Sequence, residues 1–162
     1  MAKVILICGK ICSGKTFYCK ALQQEYNAVL LSCDEIERQI FHHSLGEKHD
    51  AVAVDIKKYL HKKAFDIISV GSNVILDWGF WTKAERMDVS HYYQSNGIEY
   101  EWYYIDVTDE TWERNIASRN KAVISGESDD YYVDDGLLNK IKSSFEIPAK
   151  DEIDVWYINS RL

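Results

Sequence analysis

A short apolar run near the amino terminus passes into the sequence GKICSGKT, residues 9–16, and then into the helical stretch FYCKALQQEY. These residues fit the pattern GxxxxGK[ST], in which glycines permit positive φ and leave backbone N–H groups bare at a helix N-terminus. Successive N–H groups of this kind can surround a phosphate. A strand, a phosphate-binding turn and a helix in this order predict an α/β fold that holds a nucleotide. A glycine-rich turn with an incidental lysine is the alternative.

We call residues 9–16 the phosphate loop and expect its members to have distinct tasks. Lys15 should reach the β- and γ-phosphates, and the Thr16 hydroxyl should coordinate Mg²⁺. Cys12 should act as a filler, because such loops work mainly through backbone groups. The predicted cofactor-binding residues here are Gly9, Lys10, Ile11, Cys12, Ser13, Gly14, Lys15 and Thr16.

The rest of the chain alternates between strand and helix periodicities. Apolar residues recur at helical spacing, most clearly from Val52 to Ile68, and between such stretches lie short β-rich runs. Runs such as VILI and NVIL are continuously apolar, which is typical of strands covered on both faces. We therefore predict an α/β chain with a parallel, doubly wound sheet. The predicted strands are 3–8, 28–33, 73–77, 100–107 and 154–159.

Length and composition limit the classes of function. A chain of 162 residues fits one domain, 1–162, and the weakly periodic residues 120–135 would form a lid. The net charge of -7 disfavours nucleic acid as a partner. No apolar run is long enough to span a membrane and no secretory signal is present, so we expect a cytoplasmic protein with reduced cysteines.

Asp34 follows the second predicted strand, in the sequence LLSCDEIERQI. Open α/β sheets bind ligands at the carboxyl ends of their strands, where a carboxylate can take the proton of a hydroxyl that attacks a γ-phosphate. Arg38, one helical turn later, can hold a substrate group or Asp34 itself. The alternative is that Asp34 caps the helix and Arg38 forms a surface ion pair.

Asp77 ends the third predicted strand, in the sequence NVILDWGFWTKAER. A carboxylate after four largely apolar positions has the pattern of a Walker B residue, which would hold a Mg²⁺-bound water or orient the acceptor. The alternative is a cap for the following turn.

Large aromatic residues follow Asp77 directly. Trp78, Phe80 and Trp81 can form a pocket wall for an organic acceptor, or they can pack in the core. Arg86, on the next predicted helix, faces that pocket or pairs with a neighbouring carboxylate at the surface.

A later helix, TDETWERNIASRN, carries Arg114 and Arg119. Fixed positive charge stabilises a migrating phosphoryl group, so an arginine beside a lid suits this task, or that of a plane for adenine. We assign both arginines to nucleotide binding. Arg119 joins Lys15 and Asp34 as a predicted catalytic residue. Exposed arginines on a solvent face are the alternative.

Taken in order, four segments resemble the small P-loop kinases that include zeta toxins, chloramphenicol phosphotransferase and polynucleotide kinase domains, among the AAA-type ATP-binding domains. The segments are GKICSGKT, LLSCDEIE, VILDWGFWTKAER and YIDVTDETWERNIASRN. The resemblance implies a three-layer P-loop NTPase fold, strand order 2-3-1-4-5 and an adenylate-kinase-like lid. It also implies ATP and Mg²⁺ as cofactors, Asp34 as the base and an arginine from residues 114–119 at the phosphates.

The predicted lid departs from this resemblance. Its sequence, KAVISGESDDYYVDDG, is rich in acidic residues and has no arginine. Either Arg114 and Arg119 supply positive charge to the triphosphate, or the lid faces away from the γ-phosphate. The acidic lid and the aromatic cluster favour a neutral or amine-bearing acceptor over an anionic one.

These observations predict an enzyme that transfers the γ-phosphate of ATP to a hydroxyl of a small-molecule acceptor. The alternatives are a regulatory switch that binds and hydrolyses ATP, and a kinase of the polynucleotide or nucleoside type. A GTPase is disfavoured because Val123 stands where the guanine-reading pattern NKxD has its aspartate. The predicted acceptor-binding residues are Asp34, Arg38, Asp77, Trp78, Trp81 and Arg86, and the predicted metal ligands are Thr16 and Asp77.

Overall fold

The computed structural model describes residues 1–161 and contains a five-stranded sheet. The strands are β1 (Val4–Cys8), β2 (Ala28–Ser32), β3 (Asn73–Gly79), β4 (Tyr100–Val107) and β5 (Val155–Asn159). All pair in parallel, in the order β2-β3-β1-β4-β5. The predicted α/β class and strand order are therefore confirmed.

Helices connect the strands on both sides of the sheet. They are α1 (Lys15–Tyr26), α2 (Cys33–Phe41), α3 (His49–Ser69), α4 (Lys83–Ser95), α5 (Asp109–Ile124) and α6 (Asp135–Ser144), with 3-10 turns at Gly46–Lys48 and Lys150–Glu152. Within residues 1–161, none of these helices combines the length and the apolar character needed to cross a membrane.

The central strand β1 is buried on both faces, and all five of its residues are 0% exposed. Val4 and Leu6 pack in one core cluster with residues of α3 and α4. Ile5 and Ile7 point the other way and pack with residues of α1. Burying an aliphatic side chain contributes about 1.5–3 kcal/mol, so the continuous apolar run VILI is what holds this strand between two helical layers.

A third cluster, at the carboxyl end of β4, joins α5 to α6. Trp112 and Ile116 of α5 pack there with Ile141 of α6 and with Val133 from the connection between the helices. Helix covers both ends of the predicted lid, residues 120–135, because α5 continues to Ile124 and α6 begins at Asp135, and a lid role for the residues between them stays a prediction. The connecting residues 125–134 are called the lid segment below.

The last residues of the lid segment are hydrogen-bonded to α5. The Asn120 side chain donates to the backbone oxygen of Val133 at 2.9 Å and accepts from its N–H at 2.8 Å. Val133 itself is only 2% exposed. The lid segment therefore returns to the helix from which it departs, and its middle residues lie beside the carboxyl end of the sheet.

Candidate active site

Four consecutive carbonyl oxygens of the phosphate loop, those of residues 10–13, accept side-chain hydrogen bonds. In chain order the donors are Lys15 Nζ at 2.8 Å, Trp112 Nε1 at 2.7 Å, Asn115 Nδ2 at 2.8 Å and Asn159 Nδ2 at 3.0 Å. These bonds fix the carbonyl groups on the protein side of the loop. The N–H of Gly9 donates to Gly79 and that of Ser13 donates to Lys10, and the other N–H groups of the loop are available to an anion.

Close packing explains why glycines stand at both ends of this arrangement. A Cβ on Gly9 would lie 2.8 Å from the carbonyl oxygen of Ile105. Gly14 has a φ of +96°, and a Cβ there would lie 2.5 Å from Nδ2 of Asn159. The loop could not take this shape around larger residues. Cys12 also has a positive φ, and burial raises the pKa of its thiol, which agrees with a filler that stays protonated.

A cavity of about 500 Å³ opens beside the phosphate loop, at the carboxyl ends of the strands. The structure brings together here the predicted catalytic residues and the predicted metal ligands. From the sequence-predicted set, the lining residues are Ile11, Cys12, Gly14, Lys15, Thr16, Asp34, Asp77 and Arg119. Their chemical roles stay predictions, but their proximity is what those roles require.

Asp34 is the second residue of α2, and it faces the cavity as an exposed side chain. The helix is capped by Ser32, whose Oγ accepts from the backbone N–H of Glu35 at 3.3 Å. The alternative that Asp34 caps this helix is therefore wrong. Its carboxylate is left available to a ligand.

Asp77 is 7% exposed, next to Lys15 and Asp34. Burial raises the pKa of its carboxyl group, Lys15 opposes that shift, and Asp34 adds to it. A cation at this position would offset the cost of the buried charge. Among residues 1–161 no three His, Cys, Asp or Glu side chains form a metal cluster. A Mg²⁺ bound by Thr16 and Asp77 would thus take its other oxygen ligands from the nucleotide and water, as Mg²⁺ commonly does.

Asp77→Asn should increase the free energy of unfolding at neutral pH, because an amide of the same shape lacks the buried charge. A raised carboxyl pKa destabilises the fold at high pH and has no effect below the ordinary carboxyl range. The difference between variant and wild type should therefore shrink as the pH falls, in urea titrations over a pH series. A less stable variant at neutral pH would show instead that Lys15 fully compensates the charge.

Arg119 reaches the cavity from α5, where its Nε lies 3.9 Å from Oδ2 of Asp130 and its guanidinium 5.5 Å from the ring centre of Tyr131. Arg114 does not reach it. That side chain is 45% exposed and pairs with Glu110 on the outer face of α5 at 3.2 Å. The prediction that Arg114 binds the nucleotide is wrong, because five residues of helix turn it away from Arg119.

Arg38 is occupied by the lid segment. Its Nη1 donates to Asp130 at 3.4 Å, and its Nε lies 3.7 Å from Asp129. His43 Nε2 lies 3.0 Å from the carbonyl oxygen of Asp129, which adds a second link between the lid segment and the end of α2. The prediction that Arg38 holds the acceptor or Asp34 is not supported, because its charge is engaged elsewhere and it does not line the cavity.

The aromatic residues after Asp77 pack in the core rather than around an acceptor. Trp78 is 8% exposed and Phe80 is 0% exposed, with ring centres 4.8 Å apart. Trp81 packs beside the cluster of α5 and α6, and its carbonyl oxygen accepts from the N–H of Glu146. The prediction that Trp78 and Trp81 bind the acceptor is wrong, since neither lines the cavity.

Arg86 is a buried structural residue, 2% exposed. Its Nη1 donates to the carbonyl oxygens of Phe80 and Glu146, each at 3.1 Å, and its Nε donates to Glu152 at 3.1 Å. The prediction that Arg86 faces the acceptor pocket is wrong, and so is the alternative that it pairs with a neighbouring carboxylate at the surface. Arg86 instead ties the end of β3 to the chain that leads into β5.

Arg86→Ala should lower the free energy of unfolding by about 3 kcal/mol, because Glu152 and two carbonyl groups lose their partner in a buried place. Chemical denaturation measures this directly. Arg114→Ala is the matched control, since loss of an exposed pair costs at most about 1 kcal/mol. Equal effects of the two substitutions would contradict the structural role of Arg86.

Three predicted phosphate-loop residues shape the site without lining the cavity. Gly9 and Ser13 are enclosed by neighbouring atoms, and the Lys10 ammonium lies 3.8 Å from the ring centre of Trp112. Only the backbone of Lys10 supports the loop, through its bond with Lys15.

Sequence reasoning missed several lining residues. Asn115 and Arg119 are four apart, so helical spacing from Arg119 could have found Asn115. Asn159 ends β5, so the rule that parallel strands present ligand groups at their carboxyl ends could have found it too. Other missed lining residues are Phe17, Tyr18, Ser118, Ala122, Ser128, Asp130, Tyr131, Tyr157 and Arg161.

With this geometry in view, the sequence can be compared with known families. Residues 4–148 match the profile of an AAA domain (AAA_33), which is most of the chain. The chain belongs to the AAA domain family. No curated protein sequence matches it. A closer grouping of this AAA domain with zeta toxins, chloramphenicol phosphotransferase or polynucleotide kinases stays a prediction.

Solved structures similar to this AAA domain include several kinases. An unliganded sugar kinase from Janibacter sp. HTCC2649 has a TM-score of 0.68 and 13% identity, over 98% of this chain and 86% of its own. APS kinase CysC from Mycobacterium tuberculosis, in complex with AMPPNP and APS, has a TM-score of 0.70 and 17% identity, over 99% of this chain and 90% of its own. A gluconokinase from Sinorhizobium meliloti 1021 has a TM-score of 0.68 and 10% identity, over 99% of this chain and 84% of its own. At such identities these likenesses establish a shared fold.

Proposed function

We propose that this protein transfers the γ-phosphate of ATP to a hydroxyl group of a small molecule. The observation that carries the proposal is one cavity lined by the phosphate loop, by Arg119 and by the free carboxylate of Asp34. The cavity therefore combines positive groups for a triphosphate with a base for an incoming alcohol. Structural similarity to a sugar kinase, an APS kinase and a gluconokinase supports the same class of reaction.

The phosphate loop and Lys15 would hold the triphosphate. Lys15 Nζ donates to the carbonyl oxygen of Lys10 at 2.8 Å, so it is already placed at the mouth of the loop. A charge-assisted bond to phosphate is stronger than this bond to a neutral carbonyl, so the ammonium group would move to the nucleotide. Arg119, beside Cys12 across the loop, would face the transferred group and stabilise its charge.

Thr16 and Asp77 would hold Mg²⁺, through a hydroxyl and a carboxylate oxygen. Bound there, the ion would neutralise charge on the β- and γ-phosphate oxygens. Oxygen donors are the ligands that this hard cation prefers, and the buried Asp77 carboxylate lacks a charge partner other than Lys15 within residues 1–161. The residues present therefore fit the ion.

Asp34 would accept the proton of the attacking hydroxyl. Within residues 1–161 its carboxylate makes no side-chain hydrogen bond, and the N-cap of α2 is already supplied by Ser32. A carboxylate near the transferring phosphate that is not occupied elsewhere can orient the hydroxyl and receive its proton.

The experiment that tests this function is incubation of the protein with Mg²⁺, γ-labelled ATP and a metabolite extract, followed by mass spectrometry of labelled products. A labelled phosphomonoester that forms only with active protein is the expected result. ATP that binds and is never transferred to any component of extracts from several sources would contradict the proposal.

A further inference from the structure

The basic residues that line the cavity lie against the phosphate loop or beyond it. Lys15 and Arg119 lie against the phosphate loop, where the triphosphate would bind. The third basic lining residue, Arg161, follows β5 and lies 4.2 Å from the ring centre of Phe17. Since β5 and β2 are opposite edges of the sheet, Arg161 is on the far side from Asp34 at the start of α2.

The side of the cavity next to Asp34 carries carboxylates, and the cations near them are already engaged. Asp77 has Lys15 as a charge partner and would hold Mg²⁺, and Asp130 of the lid segment, which lines the same cavity, lies 3.9 Å from Arg119. Asp34 is then the carboxylate of this side that makes no ion pair within residues 1–161. The basic residue of α2, Arg38, is held by Asp129 and Asp130. Within residues 1–161 no unpaired basic side chain therefore lines the Asp34 side.

A neutral hydrogen-bonding group completes that side. Tyr131 stands between Asp34 and Arg119, and burial, with Asp34 adding to it, raises the pKa of its phenol, so the hydroxyl stays protonated. A phenol can donate to or accept from a hydroxyl or an amine. It gives an anionic group little compensation for the surrounding carboxylates.

We propose that the acceptor is an uncharged or amine-bearing hydroxy compound without a phosphate, sulfate or carboxylate group. This inference rests on the proposed phosphotransferase and names its substrate class. The lid segment creates the selectivity, because Asp129 and Asp130 engage Arg38, the arginine that an anionic acceptor would need. APS, which is bound by the structurally similar APS kinase, is an acceptor of the excluded kind.

The first test uses the acceptor that the labelled extract identifies. Its kcat/KM is compared with that of the same compound bearing an added phosphate group. We expect the identified acceptor to carry no anionic group and the phosphorylated analogue to react at least about 10-fold more slowly, a modest value for like-charge repulsion. An acceptor that carries phosphate, sulfate or carboxylate overturns this inference and leaves the phosphotransferase standing.

The second test changes the selectivity through the lid segment. The double variant Asp129→Asn/Asp130→Asn frees Arg38, so discrimination against the phosphorylated analogue should fall by about 10-fold. Adding Arg38→Ala to the double variant should restore the discrimination, which separates the effect of Arg38 from the loss of the contact between Asp130 and Arg119. Asp55→Asn/Asp88→Asn is the matched control, with the same change of net charge on exposed side chains of α3 and α4 outside the cavity. Unchanged discrimination in the lid variant, or an equal fall in the control, overturns the assignment.

A binding measurement keeps the inference testable without any transfer. With Mg²⁺ and AMPPNP filling the phosphate loop, inorganic sulfate should not raise the melting temperature of the wild-type protein beyond its effect on the Asp55→Asn/Asp88→Asn control. It should do so in the lid variant, where Arg38 is available. Saturable sulfate binding to the wild type overturns the inference, whereas a failure of AMPPNP to bind contradicts the proposed function instead.

Discussion

Lys15→Ala should abolish measurable ATP binding at millimolar nucleotide and lower phosphoryl transfer by at least about 10²–10³-fold, the scale seen when one preorganised donor to a developing charge is lost. Two effects combine. The variant loses the ammonium group that would contact the β- and γ-phosphates, and it loses the bond to the carbonyl oxygen of Lys10 that places this group at the loop before the nucleotide binds. Isothermal titration with AMPPNP measures the loss of nucleotide binding, and a transfer assay measures the loss of phosphoryl transfer.

Lys10→Ala is the matched control for that substitution. It removes the same positive charge from the same loop, yet the Lys10 ammonium lies over Trp112 and outside the cavity. ATP binding in this variant should stay within a few-fold of the wild type, since the partly buried cation–π contact with Trp112 contributes only about 0.5–2 kcal/mol and lies outside the cavity. Similar losses from both substitutions would mean that general charge, and not the position of Lys15, attracts the nucleotide.

Much of the nucleotide side of this site follows from local sequence. The phosphate loop is a contiguous segment, and its position after a buried strand fixes where Lys15 and Thr16 lie. Asp34 could be placed because it comes just after β2, and Asp77 because it lies near the carboxyl end of β3, and parallel strands present their carboxyl ends at one edge. These predictions need only the direction of the strands, which determines the edge of the sheet at which each residue lies.

The acceptor side depends on contacts between distant parts of the chain. Arg38 and Asp130 are separated by 92 positions, and nothing in either local sequence indicates that they pair. Arg86 similarly finds Glu152 and the carbonyl group of Glu146 at positions 60 or more residues away. The local sequence shows that Arg38 and Arg86 are charged, but only the tertiary fold determines whether an ion pair makes them unavailable to a ligand.

Some errors arose from the reading of local pattern itself. Trp78 and Trp81 come shortly after Asp77 in sequence, which suggests an acceptor wall, but large aromatic residues bury the most apolar surface and favour the core. Arg114 and Arg119 were treated as a pair, although an interval of five residues turns the second side chain well away from the first on a helix. The interval of four between Asn115 and Arg119 marks the face that meets the phosphate loop.

Asp34→Asn should keep ATP binding within a few-fold of the wild type and lower phosphoryl transfer by about 10²-fold or more, the usual contribution of a general base. The two readouts separate because Asp34 lines the cavity from α2, outside the phosphate loop, and makes no side-chain bond within residues 1–161 on which the loop depends. Asparagine keeps the shape and can still orient a hydroxyl, but it cannot accept the proton. A transfer assay paired with AMPPNP titration measures both quantities on the same preparation.

Glu35→Gln is the matched control for Asp34→Asn. It removes a carboxylate from the adjacent residue of the same first helical turn, where the side chain is exposed and does not line the cavity. Both substitutions weaken the favourable interaction of acidic residues with the N-terminus of α2 by a similar small amount, about 0.3–1 kcal/mol. A loss of transfer confined to Asp34→Asn therefore reflects proton acceptance and not helix stability. Transfer that survives in Asp34→Asn at the wild-type rate would remove Asp34 as the base and leave the phosphate loop and Arg119 as the only catalytic elements supported here.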